Sequence, residues 1–81
     1  MQVTVRLFAR LRDIAGAGEL VRQAPAGANV GAVWASLVAD YPELSAYETS
    51  ISCAVNEDYS RFTATVAEGD EIAFLPPVSG G

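Results

Sequence analysis

Val3, Val5 and Leu7 fall on one parity of the opening stretch, and Thr4, Arg6 and Phe8 on the other. A period of two with β-branched residues predicts a half-buried strand from Gln2 to Arg10. Phe8 shares the polar parity, which turns it away from the main core. It is either an aromatic covered at a sheet edge or part of a patch that meets a partner. Ala9 to Ala15 sets Leu11 and Ile14 three apart and stops at Gly16. That spacing fits a short helical turn or loop with a glycine C-cap. Arg12 and Asp13 read as solvated charges. Glu19 to Ala24 alternates again, Leu20 and Arg22 against Val21 and Gln23, and an antiparallel hairpin with the first strand is the economical pairing.

After a turn at Pro25 to Ala28, Asn29 is placed to cap a helix. Val30, Val33, Trp34, Leu37, Val38 and Tyr41 then form an apolar stripe at helical spacing, and Pro42 ends it. Glu43 to Ser50 has no clear period and holds a short helix or a loop. Ile51 to Val55 is a compact apolar strand, followed by turn residues at Asn56, Glu57 and Asp58. Tyr59 to Val66 is mixed, with Phe62 and Val66 as core contacts. After a turn at Ala67 to Asp70, the last strand, Glu71 to Leu75, turns Ile72 and Phe74 toward the helix and Leu75 outward. One main helix on one face of a mixed sheet of about five strands is a two-layer α+β architecture. Its simplest packing puts the first and last strands side by side.

Composition narrows the chemistry. The 81 residues carry a net charge of −5, five positive residues that are all arginine, and no histidine. An acidic chain is a poor match for nucleic acid. Without lysine there is no side-chain amine for Schiff-base chemistry, and without histidine the commonest general base and metal ligand are missing. Cys53 is single, so it has no internal disulfide partner, and its apolar neighbours suit an inert buried thiol. No apolar run approaches the roughly 20 residues that span a bilayer, and no secretory leader is visible. The expectation is a cytoplasmic protein without a catalytic set of its own.

The chain ends Phe74-Leu75-Pro76-Pro77-Val78-Ser79-Gly80-Gly81. Residues 1–75 read as the folded domain and 76–81 as a flexible tail. Two prolines stop strand pairing and stiffen the start of that tail. The two glycines lack β-carbons, so the end can pass a narrow opening. Six residues extend roughly 20 Å at about 3.3–3.6 Å each. A frayed terminus is the plain alternative.

Phe8-Ala9, Leu11-Arg12-Asp13 with Gly16, Ala54-Val55-Asn56, and the block from Gly69-Asp70-Glu71 through Leu75-Pro76-Pro77-Val78-Ser79-Gly80-Gly81 together resemble the small-subunit family of molybdopterin synthase, the MoaD-type sulfur carriers. The likeness covers essentially the whole chain and is most specific in the last thirteen residues. It implies the β-grasp, ubiquitin-like fold. It also implies that an E1-like, MoeB-type enzyme spends ATP to adenylate the carboxylate of Gly81, and that a sulfur donor, such as a cysteine desulfurase or rhodanese, converts it to a thiocarboxylate. The tail, Pro76, Pro77, Val78, Ser79 and Gly80, then enters a MoaE-type large subunit and gives sulfur to cyclic pyranopterin monophosphate in molybdenum cofactor biosynthesis. The family's working form is a heterotetramer, and the small subunit binds no cofactor, nucleic acid or membrane. Strand parity and the resemblance together nominate Phe8, Tyr59 and Leu75 as the partner interface. Three other readings stand beside this one: a thiamine-thiazole-type (ThiS) sulfur carrier, a ubiquitin-like protein modifier, and an interaction module with an inert tail.

Overall fold

The computed structural model describes residues 1–77. Strand β1 (Gln2–Leu7) leads into helix α1 (Ala9–Ala15), then β2 (Glu19–Gln23) and the main helix α2 (Val30–Asp40). A 3-10 stretch (Pro42–Tyr47) precedes β3 (Ser52–Val55), β4 (Asp58–Ser60) and β5 (Glu71–Leu75). The helix ends follow the local chemistry. Asn29 Oδ1 accepts from the Ala32 amide at 2.8 Å and caps α2. Gly16 closes α1 with φ 75°, its amide donating to the Arg12 carbonyl at 2.9 Å.

The sheet order is β2-β1-β5-β3-β4. The outer pairs are antiparallel, and β1 and β5 run parallel at the centre, Val5 opposite Ile72 and Leu7 opposite Phe74. Alternation therefore separates the sheet into two faces. Val3, Val5, Leu7, Cys53, Ile72 and Phe74 are buried toward α2, which answers with Val30, Val33, Trp34 and Leu37. Trp34 packs on Phe74 at 5.0 Å between ring centroids, and Phe62 lies near-parallel to Phe74 at 6.2 Å. Such aromatic pairs add about 0.5–1.5 kcal/mol each beyond their burial. Trp34 Nε1 is buried with no hydrogen-bond partner among the described residues. Its desolvation, about 1–3 kcal/mol, offsets part of what the ring contributes. Arg22 ties β2 to α2, with Nη1 2.6 Å from Asp40 Oδ2 and Nη2 donating to the Ser36 carbonyl at 2.9 Å.

The two-layer α+β arrangement expected from the pattern, and the β-grasp fold that the resemblance implies, are observed, including the central pairing of first and last strands. Some bounds differ. The first strand stops at Leu7 rather than Arg10, because Ala9 adopts φ 51° and turns the chain into α1. The first two strands pair antiparallel, but α1 intervenes, so no tight hairpin joins them. Residues 61–66 leave the sheet after β4, apart from a bridge between Thr65 and Asn29, yet Val66 still reaches the core. The tail's Val78, Ser79, Gly80 and Gly81 lie outside the described residues.

Candidate functional site

The face of the sheet turned away from α2 carries the other parity. Neighbouring registers set Arg6 beside Ala73, Ala73 beside Ala54, and Ala54 beside Tyr59. Two alanines on the inner strands flanked by long side chains on the outer ones make a trough. Phe8 and Leu75 close one end of it, and Glu57 and Glu71 also line it. The resulting concavity is about 430 Å³. Phe8 and Tyr59 remain 38% and 79% exposed, so this face presents aromatic surface to solvent.

Each wall has a local cause. Phe8 is extended (φ −126°, ψ 153°) and continues the line of β1, while Ala9 bends away at once. The Arg6 guanidinium lies over the Phe8 ring, 5.8 Å from its centroid, and stands 3.8 Å from Glu19 and 3.7 Å from Glu71. At these separations and exposures the ion pairs orient Arg6 more than they stabilise the fold. Tyr59 is carried by the hairpin of β3 and β4, whose two-residue loop is Asn56-Glu57 with φ 50° and 73°. Positive φ at both positions is the type I′ geometry that matches the twist of paired strands.

The hairpin is locked to the turn before β5. Asn56 Nδ2 donates to Asp70 Oδ1 at 3.0 Å, and Asn56 Oδ1 accepts from the Glu71 amide at 3.0 Å. Asp70 Oδ2 accepts from the Ala67 amide at 2.8 Å. The Asn56 side-chain amide first, and then the Ala67 amide, hold the Asp70 carboxyl below its usual range. Gly69, at φ 83°, makes that turn.

Phe8, Tyr59 and Leu75, nominated from parity and resemblance, meet in this one concavity. Of the tail, Pro76 is half-buried and Pro77 exposed. Val78 to Gly81 are outside the described range. Arg6, Ala54, Glu57, Glu71 and Ala73 join the lining without having been singled out by sequence reasoning. For four of them a signal exists, since they share the outward parity of β1, β3 and β5. Glu57 reaches the rim only through the turn geometry. Cys53 is on the opposite face, buried, its thiol pKa raised by burial and its Sγ donating to the Ser60 carbonyl at 3.2 Å. Among the described residues no group of three potential metal ligands is gathered, and no helix is long and apolar enough to cross a membrane.

Comparison with known proteins places this geometry. The chain is 35% identical over 81 residues to the molybdopterin synthase sulfur carrier subunit of Arabidopsis thaliana, covering all of this chain and 84% of that protein. The crystal structure of SAMP1 from Haloferax volcanii superposes over the full length of both chains with a TM-score of 0.89 at 30% identity. The structure of the complex of subunits 1 and 2 of molybdopterin-converting factor from Helicobacter pylori shares the fold, with a TM-score of 0.71 and 23% identity over both whole chains. The ThiS family model matches residues 5–81, from the middle of β1 through the Gly-Gly end, and the chain belongs to the ThiS family.

Proposed function

We propose that this chain is the sulfur-carrier subunit of a molybdopterin synthase and that its reactive group is the carboxyl carbon of Gly81. The observation that carries this reading is the path of β5. It lies beside β1 at the centre of the sheet, lines the exposed concavity with Ala73 and, at one end, Leu75, and runs directly into Pro76 and Pro77. A protein that docks on the concave face is thereby positioned to receive the tail.

The chemistry asks little of the carrier's side chains. A terminal carboxylate, with a pKa around 3.3–3.7, is an anion at neutral pH and a poor electrophile. An E1-like enzyme transfers the adenylyl group of ATP to a carboxylate oxygen, with pyrophosphate leaving. The terminal sulfur of a persulfide on a donor such as a cysteine desulfurase or rhodanese then attacks the carbonyl carbon and AMP leaves. A thiol reductant cleaves the S–S bond of the resulting acyl disulfide, freeing the donor and leaving a thiocarboxylate. In the large synthase subunit that sulfur bonds to a carbon of cyclic pyranopterin monophosphate as an oxygen substituent leaves, and water then hydrolyses the acyl–sulfur bond, returning the carrier as a carboxylate. The prolines reduce the freedom lost when the tail is inserted. The glycines keep the last residues narrow.

Intact-mass spectrometry after incubation with the activating enzyme, ATP and a sulfur donor tests the reading. The expected product has one oxygen replaced by sulfur at Gly81, formed only with ATP. Sulfur must then move to the pterin when the large subunit is added. An unchanged mass in the presence of an activating enzyme that charges a control carrier overturns it. The similarity to SAMP1, a small archaeal modifier protein by name, favours one second reading, a protein modifier. Covalent adducts on other proteins in extracts, with no sulfur passed to the pterin, would select it.

A further inference from the structure

Among the described residues, one carboxylate lining the concave face has no ion-pair partner. Arg6 stands between Glu19 and Glu71, so these two carboxylates share its single positive charge. Glu57, on the opposite rim beside Tyr59, forms no ion pair among the described residues. Its backbone is also unfavourable. It is the second residue of a two-residue turn, at φ 73°, a position that glycine fills without strain. Glutamate there weakens the turn, so local folding does not account for it.

We propose that Glu57 is a specificity-determining residue of the docking face, receiving an arginine or lysine that stands beside an apolar side chain on the large synthase subunit. The inference rests on the concave face being the surface on which that subunit docks. A cation entering between Glu57 and Tyr59 meets a carboxylate with no ion-pair partner among the described residues and an aromatic ring, which together suit a guanidinium. The apolar neighbour fills the trough over Ala54 and Ala73. An acidic partner side chain meets Glu57 and Glu71 on the same surface and is repelled, so the arrangement selects as well as attracts.

Calorimetric titration of the large synthase subunit from the same organism tests this with four chains: wild type, Glu57→Gly, Glu57→Gln and Tyr59→Ala. Glu57→Gly is expected to unfold at a higher temperature than wild type yet bind on the order of tenfold more weakly. Glu57→Gln keeps the side chain's size and the turn's strain, and is expected to lose similar affinity. Binding by both variants becomes less sensitive to salt. Wild-type affinity in both Glu57 variants, with Tyr59→Ala weakened, overturns the role of Glu57 and leaves the docking face standing. Loss in Glu57→Gly but not in Glu57→Gln assigns the effect to turn shape and also overturns it. If Tyr59→Ala and both Glu57 variants all bind as wild type, the docking reading fails and the proposal with it.

Discussion

Asn56 and Asp70, 14 residues apart, join two turns through one side-chain hydrogen bond of 3.0 Å. The other end of each side chain is also used, Asn56 Oδ1 by the Glu71 amide and Asp70 Oδ2 by the Ala67 amide. The Asn56-Glu57 turn that holds one rim of the concavity is thus fixed to the start of β5. Asn56→Ala removes two of these bonds at about 0.5–1.5 kcal/mol each. Because the site is exposed, the expected loss is about 1–2 kcal/mol in urea unfolding.

The Asp70 carboxylate also sets part of the acid limb of stability. Its folded pKa lies below the ordinary 3.8, because the charged form is hydrogen-bonded. The unfolded state therefore takes up the proton first, and stability falls as pH drops from 3.8 through the lower folded value. Above that window this contribution is constant. Urea midpoints measured between about pH 2.5 and 7 are expected to show the drop in wild type. Asp70→Asn lowers the plateau and flattens this part of the limb.

This clip marks where sequence reading stops. Alternation in β1, β2 and β5 and the stripe from Val30 to Tyr41 state which face is buried, because burial acts on every second or every third to fourth residue. Phe8 and Leu75 follow from the same parity. What alternation does not encode is which strands are neighbours. Arg6, Ala54 and Ala73 become one surface only through the registers of β1, β5 and β3. The partnership of Asn56 and Asp70 depends on that neighbourhood too. Ala9 is hidden for another reason: a positive φ at a non-glycine residue is imposed by the surrounding fold, against its own preference.

Two glycines near α1 separate backbone strain from packing. Gly16 has φ 75°, and a β-carbon there meets nothing within 4 Å. Gly16→Ala is therefore expected to cost about 1 kcal/mol through conformation alone. At Gly18 a β-carbon lies 3.4 Å from Arg12 Cδ, on a side chain that can swing aside. Gly18→Ala is expected to stay within about 0.5 kcal/mol of wild type, since alanine also restricts the unfolded chain. Parallel denaturant titrations check the contrast. Equal effects at both sites would remove the conformational explanation.

Phe74 is fully buried between Trp34 and Phe62 and sits on the strand that leads to the tail. Phe74→Ala should cost about 3–5 kcal/mol. A domain of this size commonly has little more than that in total, so the variant is expected to be largely unfolded at about 37 °C. Phe74→Leu keeps most of the volume and should retain the fold at a cost of about 1–2 kcal/mol. Fluorescence of Trp34, packed directly on the ring, reports both.

The outward face offers a control for docking within a single sheet. Phe8 lines the concavity, whereas Val21 is more exposed, at 59%, and lies on β2 away from it. If exposed apolar area alone governed association, Val21 would matter at least as much as Phe8. If the trough is what the large subunit recognises, Phe8→Ala weakens binding by more than about 1 kcal/mol, roughly fivefold or more, because an aromatic anchor leaves a desolvated pocket. Val21→Ser then binds as wild type. Both variants keep the buried parity of their strands, so circular dichroism should be unchanged and differences in affinity can be read as interface effects. Unchanged affinity in Phe8→Ala removes Phe8 from the interface, and a loss in Val21→Ser moves the interface toward the β2 edge.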